Sequence, residues 1–459
     1  MQSLLLLNVV GLTSHVLGEF TPRLRAFAAA GELRTLRGIT PAVTCSAQAS
    51  MLTGLTPQEH GIVGNGWLFR DLAEIWFWRQ SNRLMGGEKI WQAGKRRDPA
   101  FSCANLFWWY NMASSHDVGA TPRPIYKADG RKLPDCLTTP AQWRDQLQAK
   151  LGQFPLFQFW GPATSIASSR WIAGAARDAI QRFDPTLSLV YLPHLDYDLQ
   201  RYGPDLTHPA VQQSLREIDQ VAGDLIDAAQ SAGRSVMLVS EYGITPVSRV
   251  VHLNRHLRAA GWLTLRHEDG AEILDPSSCP VFAVADHQIA HVYVADAARV
   301  PEVARLLAQI PGVAGVWSGA ARAELGLDHA RSGEIVVLAE ADAWFSYYYW
   351  EDDARAPDFA RTVEIHRKPG YDPAELFFDP AIRMPELAAA KKLLLRKLGM
   401  RTVMNLIGLD ASIVKGSHGR MTSGAHAPVL ICDRPDILPQ QELGLTDIKA
   451  LALARIFGA

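Results

Sequence analysis

Cysteine is scarce in this 459-residue chain: Cys45, Cys103, Cys136, Cys279 and Cys432 are scattered, odd in number and never in a CxxC pair. That pattern argues against a disulfide scaffold and a thiolate zinc site, and it fits a reducing, cytoplasmic setting. No charge of one sign dominates. Forty-six basic residues face 47 acidic ones, so the net charge of −1 gives no reason to expect nucleic acid or a membrane as partner. No apolar run reaches the roughly 18 residues that span a bilayer. The leading segment 1–11 lacks a basic flank and a small-residue cleavage site, and reads as a buried first strand, not a signal peptide. There is no P-loop, no GxGxxG, no internal repeat and no low-complexity tract.

What remains is a well-packed globular composition, 48% hydrophobic and 20% charged. Short apolar runs (Leu4–Val10, Leu187–Leu192, Val236–Val239, Val429–Cys432) alternate with helical patterns such as Pro22–Ala30 and Gln212–Ala229. In the latter, Leu215, Ile218, Val221, Leu225 and Ile226 trace one face. Runs of this kind predict a three-layer αβα domain with a mostly parallel central sheet, in which ligands bind beyond the carboxyl ends of the strands. The long interval between the third and fourth runs carries Trp344–Trp350 and His366–Asp372. It predicts a cap inserted at 251–409 into a core made of 1–250 and 410–459.

The segment from Pro41 to Asn65 is the richest in chemistry. Thr44 follows an apolar stretch and opens a weakly charged, helix-compatible segment. A Thr53-Gly-Leu-Thr-Pro57 break and His60-Gly-Ile62 then lead to Asn65. A hydroxyl at a helix start lies among backbone N–H groups that favour anions, which suits attack on phosphorus. The neighbouring Cys45 reads as a small buried packing residue.

This segment resembles the nucleophile motif of the alkaline phosphatase superfamily, and within it the type I phosphodiesterase/nucleotide pyrophosphatase family. The resemblance covers the core and is weakest over the cap. It implies that Thr44 is phosphorylated during turnover and that Asn65 holds a phosphoryl oxygen. It also implies divalent metal ligands at four places, with zinc as the expected ion, one or two in number, and Mn²⁺ or Mg²⁺ as harder alternatives.

At those places the chain departs from the family pattern. Asn8 stands where the family has aspartate, Gln200 where it has histidine, and Glu241-Tyr242 where it has Asp-His. Asp196 and His418 fit their ligand positions. Reserve ligands are Asp286, His287, His291, His366 and Asp198, each read as more often structural.

Trp67, Trp76, Trp78, Trp91, Trp108, Trp109 and Tyr110 form either an aromatic core or a leaving-group slot. Arg79, Asn82, Arg83 and Lys89 divide equally between facing a phosphate and facing solvent. The basic, amphipathic Lys391–Lys397 reads as a solvated helix face, not a membrane contact. The resulting expectation is a hydrolase of small phosphodiesters or nucleotide pyrophosphates, with no nucleic-acid or membrane partner and the oligomeric state open. A phosphate-isomerising enzyme and a metal-depleted pseudoenzyme are the rivals.

Overall fold

The computed structural model describes residues 1–458. The leucine run Leu4–Val9 is buried along its whole length and forms an inner strand, as expected when both faces of a strand are covered. It pairs in parallel with Leu187–Leu192 on one side and Ser235–Val239 on the other. Cys103–Leu106, Val118–Pro122 and Cys136–Thr139 extend the sheet beyond Leu187–Leu192. Val429–Cys432, Glu32–Arg37 and Leu443–Gly444 extend it beyond Ser235–Val239, giving nine strands. Val429–Cys432 runs antiparallel to both of its neighbours, unlike the inner strands. Its apolar run reports burial and carries no direction.

One group of helices, Pro22–Ala30, Ile166–Phe183, His194–Tyr202 and Pro209–Ser231, packs together. A second group, Thr44–Thr53, Ile90–Arg97 and Ile448–Phe457, does likewise. Together with the sheet they make the αβα layering. The Gln212–Ala229 pattern lies inside Pro209–Ser231, where the His208 ring accepts from the Ala210 N–H and caps the start.

Within 251–409 lies a four-stranded antiparallel sheet ordered Val281–Asp286, Ile289–Val294, Ile335–Ala339, Val313–Ser318. It has its own apolar cluster, which takes in Trp344, Phe345 and Tyr347–Trp350. That explains the aromatic run: these rings fill a second core. Among the described residues no helix is long and apolar enough to cross a membrane.

Candidate active site

The site sits at the carboxyl ends of the inner strands. Asn8 is the fifth residue of Leu4–Val9, Asp196 lies in the first turn of the helix after Leu187–Leu192, and Glu241 lies two residues past Ser235–Val239. Thr44 begins a fully buried helix that ends at Thr53, where Gly54 takes the left-handed conformation (φ 74°) that glycine adopts without strain. His418 arrives through Ser417-His418-Gly419, and the Ala42 N–H donates to the Gly419 carbonyl. A Cβ at Gly419 would lie 2.8 Å from the Gln288 nitrogen, so only glycine lets these two loops approach so closely. All eight expected residues, Asn8, Thr44, Asn65, Asp196, Gln200, Glu241, Tyr242 and His418, are buried.

At the nucleophile end, Thr44 Oγ1 lies 3.0 Å from the Tyr242 hydroxyl. The Cys45 N–H donates to Asn65 Oδ1 at 3.0 Å, so Asn65 is tied to the first turn of the threonine helix. Asp286 clamps Asn65 from the other side. Its carboxylate accepts from the Asn65 backbone N–H at 2.7 Å and from Nδ2 at 3.1 Å. Asn65 thus keeps one of its two amide hydrogens for a ligand. Burial pushes the Asp286 carboxyl up to about 7, against the pull of the two Asn65 donors.

At the other end, every altered position hydrogen-bonds a retained carboxylate or sits on a retained imidazole. Asn8 Nδ2 donates to Glu241 Oε1 at 2.6 Å, and Gln48 Nε2 donates to the same oxygen at 2.6 Å. The Trp109 N–H donates to Gln48 Oε1 at 2.7 Å, which fixes that amide's orientation. Gln200 Nε2 donates to Asp196 Oδ2 at 2.9 Å, and the Tyr242 hydroxyl donates to Oδ1 at 3.3 Å. Burial raises the Glu241 carboxyl to about 8 and that of Asp196 to about 7, even with these donors in place.

His418 Nδ1 donates to the Ala42 carbonyl at 2.8 Å, leaving Nε2 as a bare lone pair 3.8 Å from Asp196 Oδ1. Burial drops the His418 pKa to about 3, so the ring is neutral. The Tyr242, His418, His287 and Tyr371 rings stack in a column with successive centroids 3.7, 3.6 and 3.7 Å apart. The Tyr371 hydroxyl closes the circle by donating to Gln200 Oε1 at 3.0 Å. The loop carrying Tyr371 is held by buried Lys368, whose Nζ lies 2.7 Å from Asp372 and 2.8 Å from Glu375.

Two of these partners, Gln48 and Tyr371, are new to the site, and two, Asp286 and His287, come from the reserve ligands. Gln48 lies one helical turn after Thr44, a polar residue on the nucleophile's face of a small-residue helix. Asp286, a reserve ligand by sequence, grips Asn65 instead. Tyr371 and His287 come from the 251–409 segment. The remaining reserves are structural here. His291 bonds the Val63 carbonyl and the Gly333 N–H, His366 the Phe77 carbonyl, and Asp198 pairs with Arg201. Trp91 and Trp108 are core residues, whereas Trp78 meets Trp109 and Tyr371 beside the site. Arg79 stacks on Trp76, Lys89 and Asn82 bond backbone carbonyls, and Arg83 is exposed.

The donors tell what cations the site suits. Among the described residues no group of three or more His, Cys, Asp or Glu is placed to hold a metal. Both Asp196 oxygens already accept hydrogen bonds, which fits poorly with a cation between Asp196, Gln200 and His418. Asn8 Oδ1 and Glu241 Oε2, by contrast, are buried acceptors without a partner. Orphaned acceptors on adjacent side chains beside Thr44 fit one hard, oxygen-preferring cation.

A buried threonine at a helix start, ringed by residues at the carboxyl ends of a mostly parallel sheet, places the protein among alkaline phosphatase-like α/β proteins. Residues 4–372 match the family model described as type I phosphodiesterase / nucleotide pyrophosphatase. The chain belongs to that family, whose members are generally divalent-metal dependent. It is 28% identical over 219 residues to the ectonucleotide pyrophosphatase/phosphodiesterase 2 of Saccharomyces cerevisiae, and 24% identical over 219 residues to an uncharacterized pyrophosphatase/phosphodiesterase of Schizosaccharomyces pombe. Each match covers 45% of this chain and only 38% or 37% of the relative. In fold, it is similar to the phosphonoacetate hydrolase of Sinorhizobium meliloti bound to phosphonoformate (TM-score 0.63, 17% identity, 99% of this chain and 95% of that one). It is also similar to murine ectonucleotide pyrophosphatase/phosphodiesterase 5 in an inactive form with AMP (TM-score 0.61, 15% identity, 99% and 95%).

Proposed function

We propose that the protein hydrolyses small phosphoric esters of the phosphodiester or nucleotide-pyrophosphate type through a phosphothreonine at Thr44. The observation that carries the reading is the Thr44 hydroxyl at the start of a buried helix, with Asn65 tethered to the next backbone N–H. Backbone N–H groups of the first helical turn and the free Asn65 amide hydrogen favour the equatorial phosphoryl oxygens. Tyr242 orients the threonine hydroxyl and links it to Asp196. The Thr44 oxygen bonds to phosphorus as the leaving-group oxygen departs, and water then cleaves the phosphothreonine.

Asn8, Glu241 and Thr44 would hold one divalent cation, and the all-oxygen donors favour Mg²⁺ or Mn²⁺ over zinc. Bound there, it supplies charge stabilisation to the phosphoryl and threonine oxygens. With both Asp196 oxygens already bonded and His418 the one imidazole among the expected ligand positions, the residues favour a single ion over a pair.

A second reading, a metal-depleted binding protein that keeps the fold, is favoured by the amide and phenol donors on both retained carboxylates. Turnover of bis-p-nitrophenyl phosphate and p-nitrophenyl phosphate by protein purified without chelator, beside Thr44→Ala, separates the two. Hydrolysis that falls at least about 10³-fold in Thr44→Ala supports the enzyme. A metal-free protein whose phosphate-ester binding survives Thr44→Ala, without turnover by either form, supports the binding protein.

A further inference from the structure

The helix Pro385–Lys397 buries none of its residues. Leu387, Leu394 and Leu398, at i, i+7 and i+11, share one face and are 60%, 57% and 68% exposed. Met384, Leu393, Met400 and Val403 are also exposed around them. Of the fifteen exposed large apolar side chains among the described residues, seven fall within 384–403. Exposed apolar side chains are thus concentrated in this one segment, with the leucine row along one side of the helix, unlike the usual scatter of single residues.

The rim is basic. Arg383, Lys391, Lys397 and Arg401 are exposed with Glu386, giving the patch four positive charges against one negative, in a chain whose overall charge is −1. Lys392 and Arg396 are spent differently. They donate to the Val403 and Thr402 carbonyls and fix the return segment against the side of the helix away from the leucine row.

We propose that this helix docks on an anionic phospholipid surface, lying in the interface plane with Leu387, Leu394 and Leu398 among the acyl chains. The leucine row runs about 16 Å along one side of a single helix. Apolar contact along one side and lysines long enough to reach the headgroups are what such a surface selects. A second copy is a poor occupant, because a two-fold contact would set this positive patch against itself. Anionic headgroups remove that repulsion and add attraction for each cation near the surface. The sequence pattern favours a solvated face. In the structure the leucines, as well as the lysines, meet water.

The test is co-sedimentation of the full chain with vesicles of phosphatidylcholine alone and of phosphatidylcholine with phosphatidylglycerol. Binding should appear with phosphatidylglycerol, weaken as salt rises, and fall about tenfold or more in Leu387→Glu/Leu394→Glu/Leu398→Glu. Lys391→Glu/Lys397→Glu/Arg401→Glu should lose a similar amount. These side chains are exposed, so both variants should melt like the parent, and salt dependence of the unaltered chain gives an independent reading. Four outcomes overturn the proposal: no vesicle binding, equal binding to neutral and anionic vesicles, binding unchanged in both variants, or a dimer in solution that the leucine variant dissociates.

Discussion

The two ends of the site solve the same electrostatic problem differently. At the nucleophile end, Thr44 and Asn65 keep the family's residue types, and Asp286 is satisfied by two donors from Asn65 itself. At the other end, Asn8, Gln200 and Tyr242 stand where the sequence resemblance leads one to expect ionisable ligands, and each donates a hydrogen bond to Glu241 or Asp196. A buried carboxylate needs either a cation or donors. Where expected ligands are gone, donors occupy both Asp196 oxygens and Glu241 Oε1, and only Glu241 Oε2 is left open. The three side chains share one pattern: each stands at an expected ligand position and donates to a buried acid there.

Reversing that pattern is the strongest way to break the comparison. In Asn8→Asp/Gln200→His/Tyr242→His the donors become ligands, and Glu241 gains a like-charged neighbour. With chelator present the triple variant should be about 3 kcal/mol or more less stable than the parent, as for buried charges left uncompensated. Added zinc should restore it and bind at close to two ions per chain, read by elemental analysis and by the zinc dependence of the melting temperature. If the parent chain already binds two zinc ions with similar affinity, the two ends do not differ in the way described.

Much of the nucleophile end was legible in the sequence because its chemistry is local. Thr44, the Gly-Pro break and Asn65 lie within one short segment, and a helix start after an apolar stretch is a strong pattern. Asp196 and Glu241 were legible because they follow recognisable strands. Gln48 was hidden, since a glutamine in a helix shows its value only when the opposing Glu241 is known. Asp286 and His287 were legible only as reserve ligands and Tyr371 not at all, because all three reach the site from far along the chain and no spacing announces such contacts. Direction was equally invisible in Val429–Cys432. The exposed leucines of Pro385–Lys397 show the same limit, because an amphipathic period defines a face without saying what covers it.

A smaller effect sharpens the donor argument. Gln48→Leu removes one of two donors on Glu241 Oε1 and leaves the Trp109 N–H without its acceptor. Both groups are buried, so urea unfolding should show a loss of about 1–3 kcal/mol with no change in slope. If a bound cation already neutralises Glu241, the loss measured with that cation present should be smaller than with chelator.

The smallest effect concerns the end that keeps its residues. Asp286 has an ordinary carboxyl value of 3.8 when exposed and is raised by burial to about 7 in the folded chain. Between those values the folded form binds more protons than the unfolded form, so this group makes stability fall as pH rises through the window. Buried histidines held low, such as His418 and His60 at about 3, act oppositely below their ordinary value of 6.5. The parent profile therefore mixes both signs, and only a difference isolates Asp286. Asp286→Asn keeps the shape, can still accept through its one carbonyl oxygen, and cannot titrate. The melting temperature of parent minus variant should decline steadily from about pH 4 to about pH 7 and then level off. A flat difference across that range would mean that the two Asn65 donors hold Asp286 ionised throughout, and the nucleophile end would then carry a fixed buried charge of its own.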